Sequence, residues 1–464
     1  MTRHPADPAA PTVYWAEHAW VDGRVAAGTV LETDPSTGRL TAVRTDVTAP
    51  PPGARVLRGL TLPGLANAHS HAFHRALRGL VQVGSGTFWT WRQTMYRVAQ
   101  RLTPDSYHAL ARAVFAEMAL AGVTVVGEFH YLHHAPGGTR YADPSAMAKA
   151  LLAAAEEAGV RLTLLDTCYL AAGLRDAERG QELTEEQLRF SDGTAEAWAE
   201  RAARLHAEAD DGRTVRVGAA IHSVRAVPAA HLGTVAGWAR ERGTPLHVHL
   251  SEQPAENEAC QAVHGRTPTR LLADHGVLGP DTTAVHATHL DPEDVALLGG
   301  THTGVCLCPT TERDLADGIG PAAALHRAGS PLSLGSDSHA VIDLFEEARA
   351  VELDERLHSR TRGHLTAAEL LTAATAAGHA ALGWPDAGRL APGAPADLTT
   401  VALDTVRTAG PPPRFAAETA VYAATAAEVR HTVVGGRVVV WDGVHQRVED
   451  VPGELAAAVR ALHP

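Results

Sequence analysis

The feature that most constrains the fold is a repeated alternation of short apolar runs with alanine-rich segments of helical length. Eight such runs follow one another along the chain, at 60–67, 123–129, 161–168, 215–221, 245–250, 283–288, 303–308 and 331–335. Strands that alternate with helices form parallel sheets, and eight of them close a (β/α)8 barrel. The pattern therefore predicts an α/β fold with a TIM-like barrel at its centre.

Both ends of the chain carry β-hairpin signals outside the barrel pattern. Asp22 and Gly23 separate two apolar runs, and Gly435 and Gly436 separate two β-branched runs, as is typical of tight hairpins. Because each end is too short to fold alone, we expect the two to pair into one small discontinuous β-sandwich. The predicted domains are 1–63 and 389–464 for the two parts of the β-sandwich and 64–388 for the barrel.

Two segments that follow predicted strands are longer than a barrel connection requires. They span 72–101, after the first strand, and 169–195, after the third. The loops at the carboxyl end of a barrel build the active site, and long ones cover it. We expect both segments to lie over the site.

Composition narrows the choice of partners and location. The net charge of −13 argues against nucleic acid, because phosphate binding needs clustered basic residues. The four cysteines form no C-x-x-C motif, so we expect buried thiols in a reducing compartment. No run of 18 apolar residues occurs, and the first eleven residues lack the apolar core of a signal peptide. The sequence predicts a soluble, cytoplasmic protein without a membrane or nucleic-acid partner.

Polar residues that could do chemistry collect at the carboxyl ends of the predicted strands. They are His69, His71, His130, His222, Arg225, His249, Glu252, His286 and Asp337. Barrel enzymes place their active sites on this face. The pattern favours an active site over a scatter of core histidines.

Four of these residues form a candidate metal site. His69 and His71 share one face of a strand, because alternate side chains point the same way. With His249 and Asp337 they would offer one divalent ion three imidazoles and a carboxylate, leaving a position for water. Such an ion lowers the pKa of its water towards ~7, so we expect a metal-dependent hydrolase.

Three of the polar residues suggest how protons would move during the reaction. Asp337 is placed to take the proton of the water, and Glu252 could pass a proton to a leaving group. His286 could polarise or orient the attacking hydroxide. By contrast, we expect His247, deeper in the fifth strand, and His289, out of phase with the sixth, to be structural.

Six ordered motifs resemble those of the amidohydrolase superfamily: HSHAFHRALRG at His69, EFHYLHH at Glu128, HSVR at His222, HVHLSEQ at His247, HATH at His286 and GSDSH at Gly335. Within it, the chain is similar to formimidoylglutamate deiminases, which convert N-formimidoyl-L-glutamate to N-formyl-L-glutamate and ammonia in histidine degradation. The resemblance implies a single zinc ion on the four predicted ligands, and a homodimer.

The resemblance also implies a substrate pocket made by Arg92, Tyr131, His222 and Arg225. Guanidinium forks, an imidazole and a phenol are fitting partners for the two carboxylates of such a substrate, a small formimidoyl amino acid. In the family, glutamine often stands three positions after the second metal histidine, whereas this chain has His74. We expect His74 to contact the substrate with a different reach and a charge that titrates.

Three alternatives make different demands on the sequence. A binuclear amidohydrolase would need a carboxylated lysine on the fourth strand, but the chain's only lysine, Lys149, lies between the second and third. A mononuclear deaminase or chlorohydrolase acting on a nucleobase or triazine would have no use for two arginines, Arg92 and Arg225. A non-enzymatic metal-binding protein would have no use for Glu252 and His286.

Overall fold

A computed structural model of the chain describes residues 12–84, 86–175 and 180–463, without the side chain of Trp89. The strands of the described residues are β1 Thr12–Val21, β2 Arg24–Asp34, β3 Arg39–Arg44, β4 Arg55–Pro63, β5 Leu65–Ser70, β6 Val123–His130, β7 Arg161–Cys168, β8 Val215–Ile221, β9 Leu246–Leu250, β10 Thr282–His286, β11 Gly304–Leu307, β12 Leu332–Leu334, β13 Leu398–Val401, β14 Val429–Val434, β15 Arg437–Trp441 and β16 Val444–His445.

The α-helices of the described residues are α1 Phe88–Ala99, α2 Pro104–Leu120, α3 Ala146–Ala158, α4 Ala195–Ala209, α5 Ala229–Arg242, α6 Pro254–His264, α7 Pro268–Asp274, α8 Pro292–Gly300, α9 Pro309–Asp314, α10 Ala322–Ala328, α11 Leu344–Ser359, α12 Ala367–Thr372, α13 Gly378–Ala381, α14 Ala416–Ala423 and α15 Val451–Leu462. None of them is long and apolar enough to cross a lipid bilayer.

The strands β5 to β12 form the predicted barrel. They pair side by side in chain order, and each registered pair is parallel. A parallel bridge between Ser70 on β5 and Asp337 just after β12 brings the two edges together. All eight strands are rich in buried residues, as expected when helices cover the outer face of a parallel sheet. The prediction of a TIM-like barrel is confirmed.

The first predicted strand is divided between two sheets. Residues 60–63 belong to β4 in the end sheet, and the barrel strand β5 begins only at Leu65. Gly64 lies between them, where a Cβ atom would come within 2.2 Å of Thr124 Oγ1. The run 60–67 was therefore wrong as a single barrel strand, and His69 lies inside β5 rather than beyond it.

The two ends of the chain form one second sheet, as predicted. Its order is β16-β15-β14-β13-β4-β1-β2-β3, and the registered pairs are antiparallel apart from β1 with β4. Val21 pairs with Arg24 and Val434 with Arg437, so both predicted hairpin turns are present. Residues 1–11 and 464 of the predicted β-sandwich lie outside the described residues. The proposed domain boundaries stay predictions.

Candidate metal centre and active site

Three imidazoles and one carboxylate meet at the carboxyl end of the barrel. His69 Nε2 lies 3.2 Å from His249 Nε2 and 3.3 Å from Asp337 Oδ1. His71 Nε2 lies 3.5 Å from the same oxygen. None of the four side chains belongs to a residue more than 6% exposed. Strands β5 and β9 and the residues after β12 thus aim four potential ligand atoms at one buried point.

The surroundings of these histidines fix which nitrogen faces that point. His71 Nδ1 lies 3.0 Å from the carbonyl oxygen of Phe129, and His249 Nδ1 lies 2.8 Å from that of His222. A carbonyl oxygen only accepts hydrogen bonds, so both Nδ1 atoms donate, and both Nε2 atoms keep their lone pairs for a ligand. The residues present therefore fit a divalent metal ion.

Burial sets the charge state of the four groups. It lowers the pKa of His69, His71 and His249, which favours the neutral imidazoles that metals require. Burial alone would raise the pKa of Asp337, but its interactions with His69, His286 and His71 hold it well below its ordinary value. The site combines neutral nitrogen donors with an ionised carboxylate.

His286 and Glu252 flank Asp337. His286 Nε2 lies 3.8 Å from Asp337 Oδ2 and 3.8 Å from Glu252 Oε1. Burial lowers the pKa of His286, but the charges of Glu252 and Asp337 and a hydrogen bond to Glu312 outweigh it, so this pKa lies well above its ordinary value. Burial raises the pKa of Glu252. The arrangement places two groups that can exchange protons beside the candidate metal ligands.

A cavity open to solvent lies beside the candidate metal centre. The residues predicted to bind substrate all line it: His74, Arg92, Tyr131, His222 and Arg225. The predicted catalytic residues line it too: Glu252, His286 and Asp337. The structure thus brings together side chains from five barrel strands and from the first long connection.

The two arginines of the cavity are held by different partners. Arg225 Nε donates to Glu256 Oε2 at 2.9 Å, and its Nη2 lies 3.5 Å from Glu252 Oε2. Arg92 Nε donates to the hydroxyl of Tyr96 at 2.6 Å. Two guanidinium groups in one cavity suit a ligand with more than one negative charge.

His74 is neutral in this site. Its Nε2 lies 3.1 Å from the Tyr131 hydroxyl, and burial lowers its pKa to about 3. Burial therefore opposes the titrating charge expected for this residue, because the buried ring loses the hydration that an imidazolium needs. His74 can act only as a neutral hydrogen-bonding group there.

Other histidines behave as structural residues. His247 Nε2 donates to the carbonyl oxygen of Ala381, and His289 Nε2 to that of Asp317, at 2.9 and 2.8 Å. Both were predicted to be structural. His130, which the strand-end pattern grouped with the active face, is absent from the described lining of the cavity, and its ring packs 5.0 Å from that of His133.

Two kinds of site residue were not predicted from the sequence. The first is the aromatic wall of the cavity: Trp91, Tyr96, Tyr169 and Phe190. Their signal was the extra length of the segments 72–101 and 169–195, which supply all four. The second is a pair of carboxylates behind functional side chains, Glu256 beside Arg225 and Glu312 beside His286. Glu256 lies four residues after Glu252, whereas nothing in the sequence around Glu312 indicates its partner.

The fold and the site define a barrel hydrolase, and the chain belongs to the amidohydrolase family, whose sequence profile matches residues 60–439. It is an enzyme that hydrolyses carbon–nitrogen bonds, of the deaminase type within that family. The resemblance inferred from the six motifs is thereby confirmed.

Individual relatives and a solved structure show which enzymes this chain resembles. The chain is 38% identical over 418 residues to the formimidoylglutamate deiminase of Pseudomonas aeruginosa, covering 88% of this chain and 90% of that one. It is 32% identical over 358 residues to the 8-oxoguanine deaminase of the same organism, covering 76% of each. Among solved structures, an amidohydrolase from Brucella melitensis is similar with a TM-score of 0.89 and 30% identity, covering 98% of this chain and 100% of that one.

A more distant structure shares the fold. It is an adenosine deaminase from Xanthomonas campestris with bound zinc, with a TM-score of 0.82 and 24% identity, covering 97% of each chain.

Proposed function

We propose that this enzyme is a zinc-dependent deiminase that hydrolyses N-formimidoyl-L-glutamate to N-formyl-L-glutamate and ammonia, a step of histidine degradation. The observation that carries the proposal is the pair of guanidinium groups, Arg92 and Arg225, in the cavity beside the candidate metal centre. The substrate has two carboxylates, each of which a guanidinium binds well. Similarity to the Pseudomonas aeruginosa deiminase supports the same substrate. The homodimer and the cytoplasmic location stay predictions.

One zinc ion would be held by His69, His71, His249 and Asp337. When bound, such an ion lowers the pKa of water and so makes hydroxide available at neutral pH. The converging Nε2 atoms and the ionised carboxylate are the donor set that such an ion prefers.

The cavity residues orient the substrate. Arg92 and Arg225 bind its carboxylates, while His222, His74 and Tyr131 offer neutral hydrogen-bonding groups close by. His74 and Tyr131 contact each other, at 3.1 Å, so each can fix the direction of the other's hydrogen bond. The formimidoyl carbon then faces the candidate metal centre, and the aromatic walls limit the access of bulk water.

Three residues move the protons. Asp337 accepts a proton from the attacking water at Oδ2, the oxygen that faces His286. His286 orients the oxygen that attacks the planar formimidoyl carbon. Glu252 attracts the amidine, which is cationic near neutral pH. After the oxygen has added to the carbon, Glu252 accepts the proton of the new hydroxyl group and passes it to the departing nitrogen. One water is consumed, the carbon–nitrogen bond to the terminal nitrogen breaks, and ammonia leaves.

The aromatic wall of the cavity favours a second candidate function. Trp91, Tyr169 and Phe190 could stack on a flat heterocycle, and a relative with 32% identity is an 8-oxoguanine deaminase. A neutral nucleobase, however, brings no carboxylate to the two guanidinium groups of the cavity, Arg92 and Arg225. We therefore prefer the dicarboxylate substrate.

Substrate analogues that lack one carboxylate test the proposal. Ammonia release from N-formimidoyl-L-glutamate should exceed that from N-formimidoyl-4-aminobutyrate, which has no α-carboxylate, by about 100-fold in kcat/KM, since a lost charge-assisted contact costs roughly 1.5–3 kcal/mol. Equal kcat/KM values for the two compounds would contradict carboxylate recognition.

The variant Arg225→Met, measured on the same two compounds, shows which carboxylate this arginine binds. Arg225→Met should reduce kcat/KM for the full substrate mainly through KM, because an interaction made equally in the ground and transition states is removed. If Arg225 binds the α-carboxylate, the same variant should change the turnover of the 4-aminobutyrate analogue much less. If it binds the distal carboxylate, both compounds should lose activity alike.

A further inference from the structure

The ring of His286 has a second buried partner that the reaction described above does not use. Its Nδ1 lies 3.3 Å from Oε1 of Glu312, a residue of α9 that is 5% exposed. A carboxylate oxygen accepts, so Nδ1 of His286 is the donor. The other nitrogen, Nε2, is thereby directed to the side where Asp337 and Glu252 lie, each at 3.8 Å.

Glu312 is itself held in place from both ends. Its Oε1 accepts the backbone N–H of Cys308 at 2.9 Å, and its own N–H donates to the carbonyl oxygen of Cys308 at 2.9 Å. Its carbonyl oxygen accepts from the N–H of Asp317 at 2.8 Å. One of these contacts holds the carboxylate and two hold the main chain of Glu312. The residue is therefore a rigid support, just after β11, for the ring on neighbouring β10.

The backbone beneath His286 is strained. His286 and Ala287 adopt φ values of +69° and +52°, in the left-handed region that is unfavourable for a residue with a Cβ atom. The N–H of Ala287 donates to the carbonyl oxygen of Leu250 at 3.0 Å, which ties the bend to β9. The bend turns the His286 side chain into the site, and the ring then needs a fixed partner to set its rotation.

We propose that Glu312 is a positioning residue that holds the His286 ring with Nε2 facing Asp337 and Glu252. The inference rests on the proposed function, in which His286 orients the attacking oxygen. Glu312 does not appear among the described residues that line the cavity, so it acts through His286 and not on the substrate.

Two variants of the metal-loaded enzyme test this role. Glu312→Gln keeps an oxygen that can accept from Nδ1, and kcat should fall about 10-fold, whereas Glu312→Ala removes the acceptor and should lower kcat about 100-fold, the range found when the support of a functional histidine is lost. KM should stay within about twofold in both variants, since no substrate contact changes. Metal content and the temperature of unfolding show whether the variants are folded and loaded.

Glu347→Gln is the matched control. Glu347 is as buried as Glu312 and also accepts a backbone N–H of α9, that of Thr310 at 2.9 Å, but none of its described contacts is with His286. Its replacement should change stability without lowering kcat more than about twofold, as expected for a purely structural carboxylate.

A double variant separates positioning from structure. If Glu312 acts only through His286, then His286→Gln/Glu312→Gln should be no slower than His286→Gln alone, because residues that act as a unit are not additive. Multiplicative losses, or a kcat of Glu312→Ala within threefold of the wild type at full metal content, would overturn the inference. All variants are compared on the substrate that the wild type hydrolyses best, so a wrong proposed substrate does not affect this test.

Discussion

Glu252 is proposed to transfer a proton without binding the metal ion. Its carboxylate oxygens lie 3.8 Å from His286 Nε2 and 3.5 Å from Arg225 Nη2, and no described contact joins it to the three histidine ligands. We therefore expect Glu252→Gln to keep its metal and lose activity, by about 10²- to 10⁴-fold, the usual contribution of a general acid. Kinetics of ammonia release and elemental analysis of the purified variant measure the two properties.

The exposed Glu258 on the same helix, α6, provides the control for that prediction. Glu258→Gln should retain both metal and activity. Loss of metal from Glu252→Gln at unchanged fold would show that Glu252 is a ligand and would contradict its assigned role.

At the residue scale, the sequence predicted the groups that face the cavity but not those behind them. His69 and His71 were found from their spacing, and His249 and Asp337 from their position at strand ends. Glu256 and Glu312 were missed because a carboxylate that supports another side chain follows no spacing rule. The neutral state of His74 also depends on burial by residues distant in sequence.

At the element scale, a buried ion network joins β7, the second long connection and α4. Arg201 on α4 donates to Asp166 Oδ2 at 2.6 Å and to both carboxylate oxygens of Asp192, at 3.0 and 3.1 Å. Asp192 follows Phe190, which lines the cavity. The network therefore ties one wall of the cavity to the barrel.

Arg201→Met should destabilise the protein by about 3–5 kcal/mol, because it removes the guanidinium group that the buried carboxylates of Asp166 and Asp192 share. Burial raises the pKa of Asp192, but His134 and Arg201 hold it well below its ordinary value. The stabilisation that Asp192 contributes is therefore fully present above about pH 3.9, the pKa of an aspartate in the unfolded chain. It is lost only as the pH falls below that value. The difference in unfolding temperature between wild type and variant should be largest at pH 7 and should decrease at acidic pH.

The exposed Arg204 on the same helix is the matched position. Arg204→Met should unfold at the temperature of the wild type. If Arg201→Met also unfolded at the temperature of the wild type, the buried network would make no measurable contribution to stability.

The strand pattern predicted most elements of the barrel but not the division at Gly64. An apolar run shows that a segment is buried, yet it does not show in which of two sheets it pairs. Here β4 and β5 are separated by a single residue, and the close approach of Thr124 to Gly64 makes that change of sheet possible. Such a contact between distant residues has no local signal.

For the whole molecule, the candidate metal site connects parts of the chain that are far apart in sequence. His69 lies on the first barrel strand, His71 directly after it, His249 on the fifth strand and Asp337 shortly after the eighth. An ion that binds only the folded chain stabilises it by mass action. We expect a chelator to lower the unfolding temperature and abolish activity, and Zn²⁺ to restore both. Unchanged activity after verified removal of metal would contradict the proposed centre.

At this scale the sequence predicted the two architectural units, because eight alternating runs and two hairpin signals are strong patterns. It could not predict the order of the end sheet, in which β4 lies between β13 and β1 and so joins the two ends of the chain. Strand neighbours depend on side-chain packing between distant segments, which apolar periodicity does not encode.

We propose that a dicarboxylate amidine, and not a nucleobase, is the substrate of this site. The most direct test is the ratio of kcat/KM values for N-formimidoyl-L-glutamate and for guanine, 8-oxoguanine, cytosine and adenosine, measured as ammonia release by the zinc-loaded enzyme. We predict a preference of at least about 10³-fold for the formimidoyl compound, since a site that binds substrate carboxylates discriminates strongly against ligands that lack them. A higher kcat/KM for any of the four other compounds would contradict the account.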